Sequence, residues 1–271
     1  MIAGKTFHEI RWMALAYLLI LELLCVPVLM WWPDLYPELQ RSTLLRNLNI
    51  GDFARRIGQG ITSDDQDLAY SSWVALMLFL RSGNLVGIAA AVLLGTGSFA
   101  RERENQTFEF LLSRPVSRGR ILWDKVWPAA LCVVVPLFLV NASAMYWSHV
   151  IGERLQPREL FLATTHAASF ALAFLLLTTW VSVHLRVQAH VAAIVGAFAV
   201  LQVGLYLTQR IRPYTLFRLV DFDWYGPILA GNTRAWQMFD PWNGPGYTTW
   251  LLLGCVVFYA LAWRSLARTE A

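Results

Sequence analysis

The chain has 271 residues and a formal net charge of +4, and it is 57% hydrophobic but only 15% charged, with a mean hydropathy of +0.47. Soluble domains carry about a quarter charged residues, so this balance excludes an ordinary water-soluble globule and makes lipid the solvent. Cys25, Cys132 and Cys255 lie far apart within apolar runs and read as small buried residues, not as a disulfide framework or a metal site.

A bilayer core about 30 Å thick requires roughly 20 apolar residues per helix. Six runs qualify, at 12–32, 73–99, 126–148, 160–183, 191–208 and 247–263, predicting an all-α polytopic membrane protein with one transmembrane domain over 1–271. Residues 1–11, MIAGKTFHEIR, place Phe7 and Ile10 on one helical side. They read either as a short interfacial helix or as a terminus leading straight into the first span. The first apolar run is long, contains Glu22 and lacks a small-residue cleavage site, so it reads as a retained span and not a signal peptide.

Trp31, Trp32 and Pro33 mark an aromatic anchor and a breaker at the end of that run. A polar loop follows over 33–72, within which ELQRSTLLRNL has the pattern of a surface helix. The third run holds Pro128 and Pro136, which predict a kink. HLRVQAH joins the fourth and fifth runs as a tight antiparallel hairpin. The segment 209–246 interleaves Tyr214, Phe217, Phe222, Trp224, Tyr225, Trp236, Phe239 and Trp242 with Arg and Asp, the composition of short re-entrant or interfacial helices at the headgroup layer, with a simple exposed loop as the alternative.

Placing the N-terminus inside puts 1–11, 100–125, 184–190 and 264–271 on the inner side, with 11 Lys and Arg in 52 residues. The outer segments then hold 10 in 89 residues. That bias favours cytoplasmic termini. Within the spans, Glu22 and Arg81 reach comparable depths, and an intramembrane charge is a functional candidate by default. Two arrangements are open: an ion pair lining a path, or an Arg81 that snorkels to the interface with Glu22 neutral or facing water. His166 is a further candidate for a path, or a satisfied packing residue. Asn141, Gln202, Thr178 and Thr179 read as interhelical hydrogen-bonding groups.

The segment 100–120, read with the residues up to Lys125, is the most informative: ARERENQTFEFLLSRPVSRGRILWDK. Phe108, Leu111 and Leu112 share one helical face. Glu102, Glu104 and Glu109 crowd the N-terminal side, where the helix dipole favours anions. Asn105 and Thr107 are capping types, and Pro115 stops the helix. The result is a short amphipathic helix between spans two and three whose apolar stripe is available to a groove on another protein.

This run resembles the signature of type-2 ATP-binding-cassette permeases, the membrane subunits of many bacterial ABC exporters. In that family a Glu-rich stretch leads to Gly-Thr, Leu-Leu, a Pro, Ser-Arg and a Lys opening the next span. Glu102, Glu104, Thr107, Leu111, Leu112, Pro115, Ser117, Arg118 and Lys125 match, and Gln106 stands where the family usually has Gly.

The resemblance implies a permease subunit whose coupling helix, with Phe108 and Glu109 among the contacts, docks in a cleft on a separate cytoplasmic ATPase. It also implies a second permease copy or homologue, a place in the bacterial inner membrane, and surrounding membrane lipid as the remaining partner. It implies no catalytic, cofactor or metal site in this chain, with ATP and Mg held by the partner.

GKT at Gly4–Thr6 is no phosphate loop, because the glycine required five residues before Gly4 would precede the start of the sequence. An integral membrane enzyme is the less favoured alternative: His166 and His184 lie five helical turns, about 27 Å, apart and cannot share a metal. No G-x-S-x-G motif is present. A non-transporting anchor or sensor subunit using the same docking device is the other alternative. Nothing in the sequence suggests nucleic acid as a partner.

Overall fold

The computed structural model describes residues 2–42, 52–113, 115–208, 210–232, 239–240 and 244–268. Among these described residues, six helices are long and apolar enough to cross a membrane: Gly4–Met30, Gln66–Glu104, Arg118–Val150, Pro157–His184, Gln188–Tyr206 and Tyr247–Arg268. They are called spans one to six here, and the fold is an all-α polytopic membrane bundle. Phe239–Asp240 pairs antiparallel with Gly244–Pro245, a two-residue ladder that does not alter the class.

Span one is the membrane-length part of a single helix, Ile2–Met30, so residues 2–11 are its first turns and not a separate interfacial helix. Pro33 does not end helical structure either. It lies in the first turn of a new helix, Trp32–Arg41, where a proline's missing N–H is not needed. ELQRSTLLRNL lies partly beyond Ser42 and so partly outside the described residues. Span three runs unbroken through Pro128 and Pro136.

Span two begins at Gln66, seven residues before its apolar run, with Asp65 accepting from the Asp67 and Leu68 amides as the cap. Residues 66–68 are exposed, and the rest of this start escapes a hydropathy reading because protein, not lipid, covers it: Ala69, Tyr70, Ser71 and Ser72 are all buried. From Ala75 to Val86 the helix widens to π geometry, and Ser82 Oγ donates to the Met77 carbonyl at 2.9 Å. Such π segments are rare and concentrate at functional sites.

Span four is the central helix, with 67% of its apolar window buried, against 22% for spans one and five and 17% for span six. It packs on spans two, three and six, while span one lies along span three. The close approach of spans two and four has a sequence cause. Gly83, Gly87, Ala91 and Gly95 recur every fourth residue, and side chains added at the first two glycines would meet Ala167 and Ala171. At Gly95 an added Cβ would sit 2.7 Å from Thr178 Cβ. Lipid tails are as apolar as any side chain, so helices in a membrane associate through such tight van der Waals contact.

At the end of the bundle opposite the 100–117 segment, Arg212–Tyr214 and Leu216–Val220 form 3₁₀ turns and Phe222–Leu229 forms a helix. Most of their rings turn into the protein: Phe217, Phe222, Trp224 and Tyr225 are buried, whereas Tyr214 is 88% exposed. Tyr225 stacks on Phe79 with centroids 4.8 Å apart and donates to Asn84 Oδ1 at 2.9 Å, docking the helix on the π segment. Trp236 and Trp242 lie outside the described residues.

Candidate functional site

The hairpin that joins spans two and three is built from two five-residue helices, Ala100–Glu104, the end of span two, and Phe108–Leu112. Helices this short are not stable alone, so the hairpin must be held by side chains. Gln106 turns the chain between them with φ +58°, the sole positive φ among the described non-glycine residues. That left-handed geometry suits glycine and strains a residue with a Cβ. Gln106 therefore occupies the turn in the conformation for which glycine is the default.

Three residues separated in sequence meet behind that turn. Lys125 Nζ donates to Glu102 Oε1 at 2.7 Å, and the Thr107 hydroxyl donates to the other carboxylate oxygen, Oε2. The Lys125 side chain is only 5% exposed and that of Glu102 12%, so the pair is a largely desolvated clamp between the ends of spans two and three. Thr107 does not use its hydroxyl to cap the Phe108–Leu112 helix. Glu104 Oε2 accepts from both the amide and the side chain of Gln188, at 3.3 Å each, at the first turn of span five. A carboxylate there complements the helix dipole. Ser117 caps span three by accepting from the Arg120 amide.

The apolar face of the hairpin points inward, which corrects the expectation that it is free for a partner. Phe108 and Leu111 are buried in a cluster with Phe99, Ile121, Leu122 and Leu266. Phe99 meets Phe108 edge-on at 6.5 Å, and the Arg103 guanidinium lies 4.5 Å over the Phe108 ring. Burying these two side chains contributes about 1.5–3 kcal/mol each, which a five-residue helix needs in order to persist. The outward face carries Glu109, Ser113 and Phe110, the last 75% exposed. Pro115 and Ser117 are also exposed, and Arg118 is partly buried. The Leu112 side chain and Arg114 lie outside the described residues.

The other candidates do not form one constellation. Glu22 and Arg81 do not pair: the Glu22 carboxylate accepts from Ser143 on span three at 2.9 Å, whereas the exposed Arg81 has Met77 Sδ at 3.8 Å. Equal depth fixes height in the membrane but not the direction in which a side chain leaves its helix. His166 is fully buried and satisfied, Nδ1 against the Thr248 hydroxyl at 2.8 Å and Nε2 against the Leu219 carbonyl at 2.7 Å. The carbonyl can only accept, so Nε2 carries the proton and Nδ1 accepts from Thr248. In this chain it packs and bonds as a buried residue.

Two polar clusters at the opposite end escaped sequence reasoning. Asp221 is 1% exposed, caps the Phe222–Leu229 helix, and receives Arg212, Tyr206 and Arg218, the last at 2.8 Å. Asp223 joins Arg218 at 2.9 Å and Arg56 from the 33–72 segment. Burial would lower the Arg218 pKa, but the Asp223 and Asp221 carboxylates outweigh it and hold the guanidinium above its ordinary value. In the second cluster, Glu153 accepts from Trp32 Nε1 at 2.9 Å and Gln66 Nε2 at 2.7 Å. Trp32 is accordingly buried, and Trp31, 58% exposed, is the residue left at the surface. Three Arg followed by two Asp within 210–223 were the available signal for the first cluster.

No curated protein sequence matches the chain. The family model described as ABC-2 family transporter protein matches residues 12–210, well over half the chain, and its span includes the hairpin and its clamp. With six membrane-length helices and that match, this multi-pass membrane protein belongs to the ABC-2 family of transporter proteins.

Proposed function

We propose that the chain is the permease subunit of an ABC exporter in the bacterial inner membrane, driven by a separate cytoplasmic ATPase seated on the 100–117 hairpin. Family membership supports the coarser statement directly: a transport membrane subunit, generally not itself catalytic, that partners an ABC ATPase. In this reading both termini and the hairpin are cytoplasmic, and ATP and Mg stay on the partner. Export is favoured by the resemblance of the signature run, and the inner-side excess of Lys and Arg supports the orientation.

The observation that carries the docking proposal is the exposure of Phe110 on a hairpin that is otherwise braced. A large aromatic ring, 75% exposed and flanked by Glu109 and Ser113, is a typical anchor for a groove on another protein. Behind it, Phe108 and Leu111 fix the helix, Glu102–Lys125 ties it to spans two and three, and Glu104–Gln188 ties it to span five. A push on Phe110 is thereby passed to three spans as a rigid-body movement. Thr107, Pro115, Ser117 and Arg118 shape the hairpin around that contact.

A second permease, identical or homologous, completes the assembly in this proposal. The low burial of spans five and six leaves apolar surface for it, including Val200, 73% exposed, and Val256, 65% exposed. The experiment is co-purification with ABC ATPases of the same genome. Wild type retains one of them, and Phe110→Asp loses it while keeping the wild-type elution volume. Equal retention by Phe110→Asp overturns the docking surface.

A further inference from the structure

At the hairpin end of the bundle, spans one, two, three and five border a cavity of about 160 Å³. That is room for roughly five waters at about 30 Å³ each. The lining residues further into the bundle, Met13, Leu93, Leu94 and Ala129, are apolar. Those nearer its end, Glu9, Ser98, Arg101, Lys125 and Gln188, are polar. Trp12 and Trp127, beside these walls in sequence, are 68% and 40% exposed, which sets the cavity at the level of the headgroup layer.

The polar part has hydrogen-bonding capacity that the protein leaves unused. The Lys125 ammonium carries three N–H donors on a side chain 5% exposed, and Glu102 takes one of them. Ser98 is also 5% exposed, and among the described residues its hydroxyl has no partner. Arg101 and Lys5 each stand 3.7 Å from a Glu9 oxygen, beyond hydrogen-bond length. Gln188 donates its side-chain N–H to Glu104, and its side-chain oxygen lies 3.9 Å from where a Cβ on Gly97 would be. Donors therefore gather at Ser98, Arg101 and Lys125, and acceptors at Glu9 and Gln188. The charges balance, Arg101 and Lys125 against Glu9 and Glu102, with Lys5 outside them and 65% exposed. Such a site suits a ligand that carries one charge of each sign.

We propose that this cavity binds a phosphoethanolamine group, with its phosphate on Arg101, Lys125 and Ser98 and its ammonium on Glu9 and Gln188. Guanidinium and ammonium N–H donors match phosphate oxygens, and a primary ammonium returns N–H donors to a carboxylate and an amide oxygen. The apolar residues further into the bundle take the carbon skeleton that the phosphate carries. The group is small, zwitterionic and able to donate at its nitrogen, which is what the volume, the charge balance and the free acceptors each require. The site makes no use of Phe110, so it stands or falls independently of ATPase docking.

Native mass spectrometry of the full-length purified protein tests this, with phosphatidylethanolamine, phosphatidylglycerol, phosphatidylcholine and free O-phosphoethanolamine as probes. Phosphatidylglycerol lacks the ammonium, and the trimethylated nitrogen of phosphatidylcholine has no N–H to donate. The wild-type protein retains phosphatidylethanolamine roughly tenfold better than either, as one charge-assisted contact requires. Glu9→Gln removes that preference. Gly97→Leu, which fills the cavity and leaves every charge in place, removes it too. The free ester separates the sources: its retention means that a soluble ester suffices, and retention of the lipid alone means that the occupant comes from the bilayer. Both results support the site. Equal retention of the three lipids by wild type, together with no retention of the free ester, overturns the proposal. So does retention of lipid or ester that Gly97→Leu leaves unchanged. The wild-type comparison and Gly97→Leu decide the matter even where Glu9→Gln fails to fold.

Discussion

Replacing Lys125 by Met removes the ammonium from the Glu102 clamp while keeping the length of an apolar stem. The side chain is 5% exposed and bonds at 2.7 Å, so Lys125→Met strands a carboxylate that is itself only 12% exposed. Breaking one side of a buried pair costs about 3–5 kcal/mol. The low end applies here, because Glu102 keeps the Thr107 hydroxyl and has Lys5 Nζ at 3.9 Å. With about 2–4 °C of Tm per kcal/mol in a chain of this size, a loss of about 3 kcal/mol lowers Tm by roughly 6–12 °C. Glu102→Gln costs less, about 1–2 kcal/mol, because the amide oxygen still accepts from Lys125. The double variant loses less than the sum, with a coupling of about 1–3 kcal/mol. Thermal unfolding in detergent followed by tryptophan fluorescence reads this out, since the chain carries 13 Trp residues. A Lys125→Met shift below about 2 °C, or single effects that add within about 0.5 kcal/mol, would refute the clamp.

Gln106→Gly relieves the left-handed turn, offset in part by the greater freedom of glycine in the unfolded chain, and leaves stability unchanged or raises it by up to about 1 kcal/mol. Gln106→Val lowers it by more than that, and the difference between the two melting temperatures is the check. Asp221→Asn removes the buried one of the two carboxylates beside Arg212 and Arg218, leaving Asp223, and costs about 1–3 kcal/mol, measured as the same Tm shift. Phe108→Ala costs about 3–5 kcal/mol because it empties a packed site, whereas Phe110→Ala changes stability by less than about 0.5 kcal/mol. Equal Tm losses for these two would contradict the assignment of inner and outer faces.

The six spans were legible because a bilayer leaves no alternative to long apolar runs. Their ends were less so, since residues 66–72 read as polar in sequence and yet 69–72 are covered by protein. Helical spacing correctly placed Phe108 and Leu111 on one face, but spacing does not say what covers a face. Here it is the hairpin's own bundle, and Phe110 takes the exposed side. The Glu102–Lys125 contact joins residues 23 apart across a turn whose geometry depends on Gln106, so composition and periodicity alone could not place it. The pattern Gly83, Gly87, Ala91, Gly95 was visible throughout and names the face of span two that meets span four. The aromatic residues of 214–225 carried the composition of an interfacial segment. The Asp221 cluster folds most of them inward, because a buried carboxylate with two arginines fixes the backbone around it.

The claim that the hairpin delivers force from a separate ATPase is tested most directly by site-specific photo-crosslinking in intact cells. A photoreactive amino acid at position 110 should yield, on illumination, a covalent adduct that mass spectrometry identifies as an ABC ATPase. The same group at buried position 111 should yield little of that adduct. An adduct of position 110 with lipid alone, or equal ATPase adducts from both positions, would contradict the account.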